Sequence, residues 1–243
     1  MAAKREAGGA ARKPVRSTVP ATVEQGARGR ADENTASPAP VCKITYVMPA
    51  YCNEGFKYEE LARAIDCLLA QTDPLWQVIV CHDGPNDTVR DMIIEYEKHY
   101  GKMRPFVPHR FRMREFPHRG LRGGHHMIDS CVDAADGEFI CIYNADNVVY
   151  ADHVREMWRE DADIVTCQLV MNDHPGYIMS GRGFMRGRLD RLNYIIRTSV
   201  AKRIHHGMRI DADYNYVCDA WDMIERDRGV RVHHIDRVLA EHN

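Results

Sequence analysis

The chain has 243 residues, 44% of them apolar and 28% charged, with a formal net charge of -2. That length suits one α/β-sized domain with or without a tail. The near-neutral balance excludes a protein that is cationic throughout, so any anion binding must come from local clusters. No apolar run approaches the about 20 residues that a membrane-spanning helix needs.

Residues 1–40 are rich in Ala, Gly, Pro, Thr and Arg and nearly free of large apolar side chains. Such a segment buries too little surface to offset its ordering entropy, and a disordered tail is expected there. It carries no apolar core of a signal peptide. The eight cysteines include no C-x-x-C pair, and most sit in apolar context. They read as reduced, buried thiols, which points to a cytoplasmic protein.

From Val41 the pattern changes, and 41–243 reads as a single domain. Ile44 to Met48 is a β-type run ending at Pro49. Leu61, Ala64, Ile65, Leu68 and Leu69 then share one helical face. Trp76 to Cys81 predicts a second strand, followed by a helix over 87–100 with Asp87 or Thr88 near its start. A helix over about 124–136 precedes a buried strand from Phe139 to Tyr143, and Ile164 to Met171 is a further strand. A helix is expected at about 188–204 and another opening at Cys218-Asp219. Strands alternating with helices predict parallel βαβ units in an open, mostly parallel twisted sheet with flanking helices. Ligands of such sheets bind beyond the carboxyl ends of the strands.

Those strand ends are rich in acids and amides. The first runs into Pro49-Ala50-Tyr51-Cys52-Asn53-Glu54, the second into His82-Asp83-Gly84-Pro85-Asn86-Asp87, and the third into Asn144-Ala145-Asp146-Asn147. One such ending is an ordinary turn. Three at the same edge of one sheet suggest a site.

In order and spacing these elements resemble those of family 2 glycosyltransferases of the GT-A fold, over roughly residues 43–243. The family's P-x-Y-N is matched by Pro49-Ala50-Tyr51 with the Asn displaced to Asn53. Its D-D-G-S-x-D is matched by His82 to Asp87, with Pro85 in the Ser position. Its D-x-D is matched by Asn144-Ala145-Asp146, the first Asp becoming an amide. The resemblance implies transfer of a sugar from a nucleotide-sugar donor, with a UDP-sugar favoured. It implies that Asp83 accepts a hydrogen bond from the base, that Tyr51 packs on base or ribose with Glu54 assisting, and that Pro49, Asn144, Ala145 and Asp146 line the donor. The alternatives are core packing for Tyr51 and plain turns for Asp83 and Asn144–Asn147.

A diphosphate leaving group gathers negative charge that Mn²⁺ or Mg²⁺ neutralises, and these ions favour oxygen ligands. The resemblance makes Asp146 the first ligand, Asn144 a weaker one and a late histidine a third. His242 is the first choice for that histidine, with His233 and His234 as alternatives. It also places a catalytic base late in the domain. Asp219 takes that position, with Cys218 in place of the family's Glu, and Asp222 lies one turn on. A carboxylate base implies inversion at the anomeric carbon.

Two stretches are basic. Residues 102–126 hold Lys102, Arg104, Arg110, Arg112, Arg114, Arg119 and Arg122 against Glu115 alone. Arg119 and Arg122 flank glycines and are candidate diphosphate contacts. Gly181 to Arg209 holds eight Lys/Arg with Asp190 the only acid. It reads either as a solvated cationic helix face or as a surface for an anionic acceptor, such as a lipid phosphate, a phosphorylated glycan or a nucleic acid. Two other readings compete. A nucleotidyltransferase would carry a glycine-rich basic signature where Pro49 to Glu54 stand. A noncatalytic GT-A-like domain binding nucleic acid or an acidic polymer would tolerate Asn144 and Cys218.

Overall fold

The computed structural model describes residues 42–50, 58–100, 110–117, 124–174, 176–183, 189–204 and 212–243. The expected tail over 1–40 lies outside them, as do Tyr51, Glu54, Arg119 and Arg122. Pro38–Asn243 is one compact unit. In chain order the elements are β1 (Ile44–Ala50), α1 (Tyr58–Leu69), β2 (Trp76–Asp83), α2 (Asp87–Tyr100), β3 (Phe111–Phe116), α3 (Gly124–Asp133), β4 (Phe139–Ile142) and β5 (Val148–Val149). There follow α4 (His153–Met157), β6 (Ile164–Met171), β7 (Tyr177–Ser180), β8 (Tyr194–Arg197), α5 (Thr198–Ala201), α6 (Ala212–Arg228) and β9 (Val232–His242).

The strands form one sheet in the order β3-β2-β1-β4-β8-β6-β9-β5, with β7 beside β6. The half from β3 to β4 is parallel, as the strand–helix alternation predicts. The other half is mixed: β6 and β9 run parallel, while β8, β7 and β5 join antiparallel.

The period of two along each strand divides the core. Ile44, Tyr46 and Met48 of β1 pack with Leu61, Ala64, Ile65 and Leu68 of α1 and with Val89 and Ile93 of α2. Val47 points the other way, to Met127, Ile128 and Cys131 of α3 and Tyr216, Val217 and Ala220 of α6. Both faces are covered, which is why β1 and β2 read as continuous apolar runs. In α1 the i, i+3, i+4, i+7 spacing builds the buried stripe, and Glu59 and Glu60 suit the positive end of its dipole. The α2 helix is capped by Asn86, whose Oδ1 accepts from Val89 N–H at 3.0 Å.

The helix expected at about 188–204 is not formed. Residues 194–197 are β8 instead, and α5 is only Thr198–Ala201. Tyr194, Ile195 and Ile196 are buried between β4 and β6, and a slot between strands suits the β-branched pair. β3 was unforeseen because its residues alternate with arginines. Those arginines are fastenings: Arg110 lies 4.3 Å over the Trp76 ring, Arg112 donates to Gln77 Oε1 at 2.6 Å, and Arg114 donates to Ser130 O at 2.6 Å. In the second basic stretch, Arg197 covers the Phe139 ring, donates to Glu160 O and faces Asp163 at 3.6 Å, while Arg203 pairs with Asp227 at 3.2 Å. The described arginines that face these partners therefore do not form one free cationic face. Among the described residues no helix is long and apolar enough to cross a membrane.

Candidate active site

Because β2, β1 and β4 are parallel neighbours, their carboxyl ends share one edge. The register pairs Ala50 with His82 and Val47 with Ile142, and Tyr143 N–H continues the ladder onto Val47 O at 2.9 Å. Pro49, Asp83 and the Asn144–Asn147 turn are thereby assembled at that edge. Asp83 is 2% exposed, at the last position of β2. Gly84 follows with φ 97°, a conformation that favours glycine, and turns the chain sharply. His82, in the place of the family's first Asp, is fully buried, with Nδ1 2.6 Å from Gly84 O. A carbonyl only accepts, so Nδ1 carries the proton. Beyond the turn, Arg90 grips both Glu115 oxygens at 2.6 and 2.7 Å, and Asn86 N–H donates to Glu115 at 3.0 Å. Those contacts hold the Glu115 carboxyl below the ordinary range.

The Asn144–Asn147 turn is held from several sides. Asn147 N–H closes it on Asn144 O at 3.2 Å, and Tyr143 Oη donates to Asn147 O at 3.1 Å. Arg63 of α1 donates to Asp146 O at 2.9 Å, and Asn243 Nδ2 donates to the same oxygen at 2.6 Å. The backbone is clamped while the Asp146 carboxylate reaches solvent and Ala145 is buried. Desolvation nevertheless raises the Asp146 carboxyl; Glu60 and Asp190 add to the rise and His242 opposes it.

His242 is brought to that corner by strand pairing. β9 lies between β6 and β5, with Met171 opposite His242 and Val148 opposite Glu241. His242 Nδ1 is 3.2 Å from Asp190 Oδ2. Its pKa is raised, chiefly by that contact and further by the fields of Asp146 and Asp173. The alternatives sit at the other end of β9: His233 and His234 pair with Val165 and Thr166, and His234 Nδ1 meets Thr166 Oγ1 at 2.8 Å. Of the three histidines, only His242 shares the Asp146 corner.

Among the described residues, no group of three or more His, Cys, Asp or Glu side chains could hold a metal. Asp146 and His242 are therefore no complete cation site by themselves, and a cation there would need oxygen ligands from a bound diphosphate and water. The described cysteines are free thiols, and burial pushes Cys42 up to about 12 and Cys81, Cys141 and Cys167 upward too, against thiolate ligation.

The helix expected to open at Cys218 already starts at Ala212. Tyr216 and Val217 extend its buried stripe, with Ala220 and Ile224 further on, and Tyr216 Oη reaches Ala201 O at 3.4 Å. Asp219 and Asp222 lie on the opposite, exposed face, well inside the helix. Sequence reasoning missed Asp190, Arg63 and Asn243. Asp190 had one signal, as the lone acid in a basic stretch.

The family model for Glycosyl transferase family 2 matches residues 45–213. No curated protein matches the chain. Among solved structures, S. aureus TarS 1-349 superposes with a TM-score of 0.61 at 14% identity, covering 82% of this chain and 60% of that one. The mannosyltransferase PcManGT from Pyrobaculum calidifontis, in complex with GDP-Man and Mn2+, gives 0.53 at 13% identity over 84% of this chain and 58% of that one. The chain thus spans about 60% of the TarS fragment it resembles. At such identities the likeness shows the fold, which is the GT-A type that the strand-end motifs predict. With the family model matched across both the Asp83 and the Asp146 strand ends, the chain belongs to glycosyltransferase family 2.

Proposed function

We propose that this chain transfers a sugar from a nucleotide-diphosphate-sugar donor to an acceptor hydroxyl, with inversion, in the cytoplasm. The observation that carries this reading is the meeting of Asp146 and His242 at the edge where Asp83 also ends its strand. TarS 1-349 has been solved with UDP and with UDP-GlcNAc, and PcManGT with GDP-Man and Mn2+, which supports a nucleotide-sugar donor and favours a UDP-sugar.

In this reading Asp83 accepts from the base, with Pro49, Tyr51, Glu54 and Ala145 lining the nucleoside. Asp146 and His242, with Asn144, hold Mn²⁺ or Mg²⁺, whose charge stabilises the departing diphosphate. Arg119 and Arg122 contact the same phosphates. Asp219, with Asp222 as the alternative, takes the acceptor proton as the hydroxyl attacks the anomeric carbon.

The exposed, mid-helix position of Asp219 favours one competing reading, a noncatalytic domain that binds nucleic acid or an acidic polymer. A thermal-shift panel of UDP-, GDP-, dTDP- and CDP-sugars, each with and without Mn²⁺, separates the two. A ligand of the native state raises its stability by mass action. A shift requiring both Mn²⁺ and one nucleotide class supports the transferase and identifies its donor. No shift with any of them at saturation favours the binding domain.

A further inference from the structure

We propose that Tyr177 is a stacking platform for an uncharged sugar ring of the acceptor, held at the rim of the candidate active site by the β6–β7 hairpin. The inference rests on the transferase reading above and gives its acceptor a chemical class, a glycan.

The placement follows from strand direction. β4 and β8 are antiparallel, and so are β8 and β6, so β6 runs with β4 and ends at the edge that carries the Asp146 turn. β7 turns back from there, which puts its first residue, Tyr177, at the same edge. Directly paired residues on neighbouring strands point to one face of a sheet. Met179, Leu169, Ala240 and Val149 make one such row across β7, β6, β9 and β5, and all four are buried in the core. The next row on that face is Tyr177, Met171 and His242. Core packing stops between the two rows: Tyr177 is 41% exposed, and Met171 is only partly covered. With two strand spacings between them, Tyr177 stands roughly 10 Å from His242 along this row.

The hairpin fixes the platform. Four residue pairs join β7 to β6, Tyr177 N–H donates to His174 O at 2.9 Å, and Asn172 N–H ties the turn to His242 O at 2.9 Å. Among the described residues no hydrogen bond takes the Tyr177 hydroxyl and no ring stacks on it. An exposed aromatic ring suits a pyranose, whose C–H groups meet the negative face of the ring while the sugar hydroxyls stay in water. Carboxylates flank the row: Asp173 in the turn is 56% exposed, and Asp190 lies 3.2 Å from His242. They accept hydrogen bonds from sugar hydroxyls and repel the phosphate of an anionic lipid. Contact with a lipid surface is the competing explanation for an exposed tyrosine on a hairpin.

The test is ligand-observed saturation-transfer NMR on the full chain with maltose, cellobiose, lactose and chitobiose. Sedimentation with phosphatidylcholine vesicles containing phosphatidylglycerol runs alongside it. Wild type, Tyr177→Ala and Tyr177→Phe are compared. At least one disaccharide should bind the wild type, with saturation strongest on the C–H protons of one ring. Loss of the buried aromatic contact should weaken that binding about 10-fold in Tyr177→Ala, whereas Tyr177→Phe, which keeps the ring, should stay within about threefold. The thermal shift given by the nucleotide-sugar donor should be the same in all three proteins. No disaccharide bound by wild type, or equal binding by Tyr177→Ala, overturns the platform, while an intact nucleotide-sugar shift keeps the transferase reading. Vesicle binding that Tyr177→Ala abolishes, without disaccharide binding, overturns it in favour of a lipid surface. A smaller nucleotide-sugar shift in Tyr177→Ala overturns the assignment to the acceptor. Tyr177-dependent disaccharide binding by a chain that no nucleotide-sugar stabilises overturns the transferase reading and leaves a sugar-binding domain.

Discussion

The side-chain amide of Asn243 donates to the backbone carbonyl of Asp146 at 2.6 Å, tying the residue after β9 to the turn that carries the candidate metal ligand. Asn243 N–H also donates to Asn147 Oδ1 at 3.2 Å, and its Oδ1 accepts from Asn172 at 2.6 Å. Asn243→Ala keeps the backbone contact and loses both side-chain bonds. At about 1 kcal/mol per bond, nucleotide binding in the presence of Mn²⁺ should weaken by about 5- to 30-fold. Titration of UDP with Mn²⁺ measures this, and an unchanged affinity would show that the tie does not order the turn.

Asp146 and Asn144 give opposite expectations. The Asp146 carboxylate is solvent-accessible, so Asp146→Ala should leave the melting temperature within a few degrees and lower transfer by at least about 100-fold. Asn144→Asp restores the family's first acid and adds a charge to the site. Its Mn²⁺ affinity should rise severalfold. Asp146→Ala with full turnover would remove Asp146 from the metal site.

A buried imidazole gives the fold a pH dependence of known sign. His153 is fully buried with Nδ1 2.8 Å from the Tyr46 hydroxyl, and burial pushes its pKa down to about 4. Unfolded histidine titrates near 6.5. Between those values the unfolded chain binds more protons, so stability falls as pH drops from about 6.5 through about 4, by roughly 3 kcal/mol in all. His153→Gln retains a hydrogen-bonding group without the titration. Urea midpoints at pH 7 and 4.5 should differ less in that variant than in wild type. An equal drop would place the acid sensitivity elsewhere.

Asp163 is fully buried at the start of β6 and faces Arg197 at 3.6 Å and Arg231 at 3.4 Å. Arg231 N–H also donates to it at 3.1 Å. Removing Asp163 deletes a buried acceptor of the Arg231 N–H and of two partly exposed guanidinium groups, which costs about 1–3 kcal/mol. Asp163→Ala should therefore show a large drop in urea midpoint, whereas Asp227→Ala, opposite the exposed Arg203, should shift it by less than about 1 kcal/mol. Equal small effects would mean that solvent reaches Asp163.

The sequence by itself determined β1, α1, β2, α2, α3 and β4, the burial of β1, β2 and β4, and the placement of Asp83 and Asp146 at strand ends. These follow from local periods of two and 3.6 and from the preference of parallel strands for intervening helices. The tertiary structure decided what depends on partners distant in the chain. Burial between β4 and β6 made Ile195 and Ile196 a strand, against the helical expectation. The stripe beginning at Tyr216 moved the start of α6 ahead of Cys218. Ion pairs and ring contacts took up Arg110, Arg112 and Arg197, which read as free positive charge in the sequence. Which histidine approaches Asp146 depended on β9 pairing with β5 and β6, partners that no local pattern in the sequence identifies.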